Sequence, residues 1–168
     1  MSIVLKETEY GREGTVFCKL ADKEIDLLVP DEEVTDEYIE KCILALNNLS
    51  DQTIETICKA AKRYCLKMKA LCAEAGEEFD DVDSLPVGEN TPDKDMLKFF
   101  DISGITIEAP EDEDHIGFQL GGSCDWEQEH GIEIIILDDK VLYLGAFEDN
   151  SPWYSYEPDE WNFALEQV

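Results

Sequence analysis

The strongest structural signal lies in residues 131–145, which read Gly131-Ile132-Glu133-Ile134-Ile135-Ile136-Leu137, then Asp138-Asp139, then Val141-Leu142-Tyr143-Leu144-Gly145 after one lysine. Apolar and β-branched runs of this length are typical of β-strands. The two aspartates between the runs match the length of a tight hairpin turn, although the usual glycine at the second position is absent. We therefore predict an antiparallel hairpin at this position.

Two more strands are predicted immediately before this hairpin, at Gly104-Ile105-Thr106-Ile107-Glu108 and at Ile116-Gly117-Phe118-Gln119-Leu120. Their close spacing predicts a four-stranded antiparallel meander. The next segment, Gly121-Gly122-Ser123, is not followed by a helix or a lysine, so it does not match a phosphate-binding loop. We interpret it as a glycine-assisted strand bulge.

The N-terminal part predicts a second hairpin, formed by residues 15–20 and 24–29 around the short connection Ala21-Asp22-Lys23. Thr35 is the expected N-cap of a first helix, and Ser50 or Asp51 that of a longer second helix that ends at Gly76. Apolar residues at helical spacing support both helices. They include Ile39, Cys42, Ile43 and Leu46 in the first and Ile57, Cys58, Ala61, Tyr64 and Cys65 in the second.

The predicted fold class is therefore α+β in a single domain of 168 residues. The expected architecture is an N-terminal β-hairpin, two helices and a C-terminal antiparallel meander packed on the helices. Residues 77–95 are expected to form a mobile acidic loop, and residues 148–168 an aromatic and acidic extension. The apolar content of 43% is sufficient for a folded core.

The N-terminus has no basic region followed by an apolar stretch, and no apolar run approaches the roughly 18 residues of a membrane span. We expect a cytoplasmic protein. The six cysteines include Cys58, Cys65 and Cys72, which recur every seven residues along one stripe of the second helix. At about 10 Å between steps they are too far apart to bridge one another, which predicts buried thiols in a reducing compartment.

The net charge of −28 is distributed unevenly. Residues 1–75 contain 15 acidic and 10 basic residues, whereas residues 76–168 contain 26 acidic and 3 basic residues. A field of this sign repels nucleic acid and anionic membranes and attracts basic proteins or divalent cations. Solubility alone is the alternative explanation. The basic residues of the second helix are expected to form a solvated face, or else to receive part of the acidic half.

Two stretches contain candidate contact residues. In the C-terminal extension, Trp153, Tyr154, Tyr156 and Trp161 alternate with carboxylates, so they are expected either to pack on their own sheet or to anchor a basic partner. The second stretch joins two predicted strands and contains Asp125, Trp126, Glu127, Glu129 and His130.

The histidine of this second stretch could act as a general base, or could hold a metal with the neighbouring carboxylates. The alternative is a turn fixed by a hydrogen-bonded imidazole, with Gly131 at positive φ. A calcium loop starting at Asp112 is excluded, because Ile116 and Ser123 occupy its fifth and twelfth positions. We predict no catalytic residues and no cofactor.

The segment from His115 to Gly145, with Cys124-x-Trp126-x-x-Glu129-His130-Gly131, resembles an uncharacterised family of acidic bacterial domains with a Trp-x-x-Glu-His-Gly signature. The resemblance extends over most of residues 15–147. Two departures are that Ile132-Glu133 replaces the Leu-Gly typical of the family, and that the aromatic residues after Glu148 form an extension. Families of this kind often occur beside polymorphic toxin genes, and the resemblance therefore implies an immunity protein.

These observations leave three functional hypotheses. The first is a binding protein that recognises a basic protein partner, such as a toxin, through the acidic C-terminal half. The second is a metal-dependent or hydrolytic enzyme that uses Asp125, Glu127, Glu129 and His130. The third is a nucleic-acid mimic whose carboxylates imitate the spacing of phosphates.

Overall fold

The computed structural model describes residues 3–76 and 80–165, except for the side chains of residues 80 and 81. In the described residues the helices form one block, which lies between the third and fourth strands and comprises three α-helices and a 3-10 helix. The elements are β1 (Lys6–Thr8), β2 (Gly11–Cys18), β3 (Lys23–Val29), α1 (Asp36–Leu46), α2 (Asp51–Ala75), α3 (Asp80–Asp83), a 3-10 helix (Asp93–Lys98), β4 (Phe100–Thr106), β5 (Gly117–Cys124), β6 (Ile132–Leu137) and β7 (Lys140–Gly145).

All the strands join in one seven-stranded sheet, with the order β1-β2-β3-β4-β5-β6-β7. Every neighbouring pair is antiparallel except β3 and β4, which are parallel, with Leu27 opposite Ile105. The α+β class is confirmed. However, the predicted hairpin and meander are not separate, because the connection through the helices returns the chain to the starting end of β3 and places β4 beside it.

The register of the sheet shifts between β6 and β7, at Ile135 and Ile136, and also between β4 and β5, where the extra residue lies in β4 and not in the glycine-rich segment of β5. Ile102 pairs with Gly122 and Gly104 pairs with Gly121, so Ser103 is the extra residue. A Cβ atom on Gly122 would lie 1.9 Å from the carbonyl oxygen of Asp101. Gly122 therefore permits a close approach of β4 to β5, and the bulge itself lies in β4, at Ser103.

The helix boundaries agree with the predicted caps. The side chain of Thr35 accepts a hydrogen bond from the Tyr38 amide at 3.1 Å, and the side chain of Ser50 accepts one from Thr53 at the same distance. Gly76 ends α2 with a φ of 63°. In the part of the chain that the structure describes, no helix has both the length and the hydropathy to cross a membrane.

The main core lies between the helices and one face of the sheet. Both α1 and α2 contribute buried residues to the same apolar cluster as the central strands. Tyr38 of α1 reaches the sheet directly, since its hydroxyl accepts from the amide of Gly117, the first residue of β5, at 3.2 Å and donates to the preceding His115 carbonyl at 2.9 Å. All six cysteines are free and buried, as predicted, and burial raises the pKa of Cys42 to about 12.

The expected acidic loop contains more structure than predicted, although its residues 77–79 lie outside the described residues. It includes α3 and the start of the 3-10 helix, and its Val87 is only 4% exposed. Two lysines of α2 bind it. Lys62 donates to the Thr91 carbonyl at 2.6 Å and Lys69 donates to the Leu85 carbonyl at 2.7 Å.

Candidate binding surface

The connection between β5 and β6 is organised around the carboxylate of Glu127. This carboxylate accepts hydrogen bonds from the backbone amides of Glu129 at 2.9 Å and His130 at 2.8 Å. The Nδ1 atom of His130 lies 2.9 Å from Glu127 Oε2. Gly131 follows with a φ of 68°. The interpretation of this stretch as a turn fixed by its imidazole, with a positive-φ glycine, is therefore confirmed.

Trp126 belongs to the core and is not available to a partner. Its side chain is fully buried and packs edge-on against Tyr64, with ring centroids 5.5 Å apart, and against Phe100 at 6.3 Å. The expectation that Trp126 contacts a partner is corrected for this reason. Asp125, Glu129 and His130 are exposed beside it, and Glu127 is half-buried.

Three side chains of the same turn could hold a metal ion. One ligand atom from each of Glu127, Glu129 and His130 lies within 4.8 Å of the others, and Asp125 is not part of the group. A nitrogen and two carboxylate oxygens suit a divalent transition metal. However, both oxygens of Glu127 already accept hydrogen bonds within the turn. Hydrogen bonding within the turn is sufficient to explain the arrangement.

After β7 the chain continues as residues 146–165, which we call the C-terminal segment, and returns to the exposed edge of β7. The Phe163 amide donates to the Leu144 carbonyl at 2.9 Å, and Asn162 Nδ2 donates to the Leu142 carbonyl at 2.9 Å. The segment thereby satisfies backbone groups that an edge strand would otherwise expose. Phe163 is 7% exposed and stacks on Tyr64 at 4.8 Å.

The C-terminal segment is also attached to the sheet through the buried carboxylate of Glu133. Its oxygens accept hydrogen bonds from Gln119 Nε2 at 2.8 Å and from Asn150 Nδ2 at 2.6 Å. Burial raises the pKa of Glu133, and the hydrogen bonds from Asn150 and Gln119 oppose that shift. Glu133 belongs to the pair Ile132-Glu133 that replaces the Leu-Gly typical of the resembled family. It binds the start of the C-terminal extension, which is the second feature that differs from that family.

The basic face of α2 binds the C-terminal segment and is not a freely solvated face. Arg63 Nε donates to the Phe163 carbonyl at 3.0 Å. Lys67 Nζ donates to the Glu160 carbonyl at 3.0 Å and lies 4.0 Å from the centroid of the Trp161 ring. Of the two expectations for these basic residues, the structure supports the one in which they receive part of the acidic half.

The C-terminal segment and β7 enclose an open cavity of about 670 Å³. Three of the four aromatic residues that were predicted as anchors or core line this cavity, and they are exposed to different extents. Tyr154 is 60% exposed and Trp161 is 41% exposed, and both line the cavity with the half-buried Tyr156. Trp153, the fourth, does not line the cavity and packs against the core.

The positive charges of the protein are largely engaged internally. Most of the 13 lysine and arginine side chains bind a carboxylate or a carbonyl, namely Arg12, Lys23, Lys41, Lys59, Lys62, Arg63, Lys67, Lys69 and Lys98. Within the described ranges, the ion pairs to lysine or arginine engage seven carboxylates, whereas the sequence contains 41. Most carboxylates of the described residues therefore have no lysine or arginine partner.

Sequence reasoning missed Glu133 and Phe163, which attach the C-terminal segment. The sequence did contain a signal for Glu133, since it is a charged residue between two isoleucines of a predicted strand. If both faces of the sheet are covered there, such a residue is buried and requires a polar partner. No comparable signal marked Phe163. Its position depends on the return of the chain to the edge of β7, which no local pattern encodes.

Comparison with known proteins gives one match. Residues 3–151 match a family model described as "Domain of unknown function (DUF6985)". The match covers the whole sheet and ends before Tyr154, Tyr156 and Trp161. No curated protein and no solved structure matches the chain.

Proposed function

The chain belongs to the DUF6985 family of domains of unknown function, and from its own residues we propose that it is an acidic binding protein that captures a basic protein partner. The proposed contact surface comprises the exposed residues of the β5–β6 turn and the exposed aromatic residues of the C-terminal segment. These residues are Asp125, Glu129, His130, Tyr154 and Trp161, with Glu127 and Tyr156 partly accessible beside them.

The observation that carries the proposal is that most cationic side chains bind groups within the protein, whereas most carboxylates of the described residues have no lysine or arginine partner. Four cationic residues of α2 bind the acidic loop or the C-terminal segment, namely Lys62, Arg63, Lys67 and Lys69, so few cations remain to neutralise the other carboxylates. A surplus of −28 concentrated in this way speeds the encounter with a cationic protein and disfavours anionic partners. Exposed tyrosine and tryptophan beside such charge are the residue types that most often anchor an interface.

The finer proposal is that the partner is a toxin and that the protein is of the immunity type. Support for it comes from the resemblance described above and from the acidic surface, since many toxins that act on nucleic acid are strongly basic. An immunity protein needs only to cover the basic active surface of its toxin, and it requires no catalytic group of its own.

The test is to capture partners from a lysate of the source organism on the immobilised protein at low and at high salt. We expect a basic protein that dissociates as salt rises, followed by reconstitution with the purified partner and measurement of Kd. The double variant Asp125→Asn/Glu129→Gln should weaken that complex more than Glu9→Gln/Glu24→Gln, which removes equal charge from exposed positions in the N-terminal half.

Two results would count against this proposal. One is the recovery of no basic protein by a folded bait at low salt. The other is a complex whose affinity does not change with ionic strength, since steering between opposite charges weakens with screening. A captured DNA-binding protein that duplex DNA displaces would favour the nucleic-acid mimic.

A second candidate function is a metal-dependent hydrolase, and the group formed by Glu127, Glu129 and His130 is the observation that favours it. Titration with Zn²⁺ or Mn²⁺ by calorimetry, followed by a screen of ester, amide and phosphoester substrates, tests this candidate. His130→Ala should abolish metal binding, whereas His115→Ala, at the other exposed histidine, should not. Absence of both metal binding and turnover would exclude the enzyme.

A further inference from the structure

We propose that the cavity between β7 and the C-terminal segment receives a lysine or arginine side chain of the basic partner. This inference rests on the proposed function and assigns the part of the partner that is recognised. It concerns a site built mainly from residues 154–162, which lie beyond the region matched by the family model.

The walls of the cavity combine two residue types that attract organic cations. Its aromatic residues are Tyr143, Tyr154, Tyr156 and Trp161, and its acidic residues are Glu148, Glu157 and Asp159. Aromatic faces attract ammonium and guanidinium groups through their quadrupole, and the attraction increases as the cation is desolvated. Carboxylates at the rim add charge complementarity and hydrogen-bond acceptors.

The negative charge of these walls is not neutralised from within the protein. Neither Glu148 nor Glu157 forms an ion pair with any of the described residues, and among these residues the carboxylate of Asp159 accepts only the Trp161 amide, at 2.7 Å. The pKa of Tyr143 is raised first by burial and then by the charge of Glu148, which is consistent with a negative potential at the cavity wall.

One aromatic residue of the cavity wall, Trp161, already binds a cation in this way. Lys67 Nζ lies 4.0 Å from the centroid of the Trp161 ring and 3.4 Å from a carboxylate oxygen of Glu160. An aromatic ring and a neighbouring carboxylate of the C-terminal segment therefore hold an ammonium group from α2. The tyrosine rings of the cavity, Tyr143, Tyr154 and Tyr156, contact no cation among the described residues.

The cavity is also of suitable size and is held in place. Its volume of about 670 Å³ lies within the range of roughly 300–1,000 Å³ that is usual for ligand sites, so a cationic side chain and part of its backbone fit. The hydroxyl groups of Tyr143 and Tyr156 each donate a hydrogen bond at 2.6 Å, to Ala146 and Ser151 carbonyls respectively. Rings fixed in this way lose little freedom on binding.

The experiment uses the full chain labelled with ¹⁵N and three small probes at constant ionic strength. Two probes are cationic, N-acetyl-arginine amide and N-acetyl-lysine amide, and the third is the neutral N-acetyl-citrulline amide. We expect saturable shifts of the Trp161 indole and of the amides of residues 154–157 and 159–161 with the cationic probes; Pro158 has no amide proton. The citrulline probe should cause no saturable shift.

Two variants test the walls. Glu148→Gln/Glu157→Gln should weaken the cationic probes about tenfold, whereas the matched pair Glu9→Gln/Glu24→Gln should change their Kd by less than about twofold. Tyr154→Leu alters a largely exposed ring and should weaken them about two- to fivefold while the chain stays folded.

Saturable binding of citrulline equal to that of arginine, or equal weakening by both glutamine pairs, would overturn the inference. If the probes bind as expected but no basic protein is captured, the cavity assignment stands and the proposed function fails. If a basic partner binds Glu148→Gln/Glu157→Gln as tightly as it binds the matched pair, the proposed function stands and the cavity assignment fails.

Discussion

Replacement of Gly131 by alanine tests whether the glycine of the β5–β6 turn is required by geometry. Gly131 has a φ of 68°, and a Cβ atom there would lie 2.3 Å from the carbonyl oxygen of Gly122. Gly76, at the end of α2, has a similar φ of 63°, but no atom of the described residues lies within 4 Å of the added Cβ. The two positions therefore share the same backbone cost and differ in steric space.

The expected energies follow from that difference. A left-handed backbone costs an alanine about 1–2 kcal/mol, and the lower entropy of the unfolded chain offsets about 0.4–1 kcal/mol of this cost. Gly76→Ala should thus lower the free energy of unfolding by about 1 kcal/mol. Because the obstructing atom at Gly131 belongs to the backbone of β5, relief requires strand movement, which costs about 1–3 kcal/mol more.

Urea unfolding, followed by tryptophan fluorescence and by circular dichroism, measures the free energy of unfolding of both variants, and thermal unfolding followed by the same signals measures their Tm. For a chain of this length each kcal/mol corresponds to about 2–4 °C in Tm, so Gly131→Ala should melt well below Gly76→Ala. Equal destabilisation of the two variants would show that the backbone of β5 yields freely at this point. The steric account of the glycine would then be refuted.

Three further predictions concern the C-terminal segment and the titrating groups. Phe163→Ala should lower the free energy of unfolding by about 2–4 kcal/mol in urea, because it empties a buried site, whereas Tyr154→Ala, at a 60% exposed ring, should cost less than about 0.5 kcal/mol. The hydrogen bond and charge of Asp138 raise the pKa of His115. This pairing therefore stabilises the folded state below the ordinary histidine pKa and ceases to do so as pH rises through the raised value. Asp138→Asn should lower the pKa of His115 in an NMR titration. Burial raises the pKa of Glu133. The stability of the wild-type protein relative to Glu133→Gln should therefore be highest below the ordinary glutamate pKa and should fall as pH rises through the raised value. Urea unfolding of both proteins at several pH values measures this difference, and a difference that does not change with pH would contradict the assignment.

Local signals in the sequence were sufficient to predict most elements of the fold. The caps at Thr35, Ser50 and Gly76 were predicted correctly because capping depends on residues within one turn of the helix end. The hairpin around Asp138-Asp139 was also predicted, and both aspartates adopt positive φ, the conformation for which a glycine had been expected. Short-range hydrogen bonding determines each of these features.

Contacts between distant parts of the chain could not be predicted in the same way. The parallel pairing of β3 with β4 joins strands separated by the whole helical block, and neither strand carries a pattern that specifies its partner. Trp126 lies in a polar stretch that resembles a surface loop, yet the adjoining aromatic rings of Tyr64 and Phe100 bury it. Burial of a single side chain depends on which elements meet around it.

The sequence by itself determined the charge of −28, its concentration after residue 75, and the presence of aromatic residues among the acidic ones. Only the tertiary structure decided which of these charges remain open to a partner. The reason is physical: an ion pair forms within about 4 Å, and pairs such as Lys67 with Glu160 and Lys62 with Asp93 join residues far apart in the chain. Folding uses cations of α2 to hold acidic segments, and Asp125 and Glu129 of the proposed binding surface are among the carboxylates that form no ion pair with the described residues.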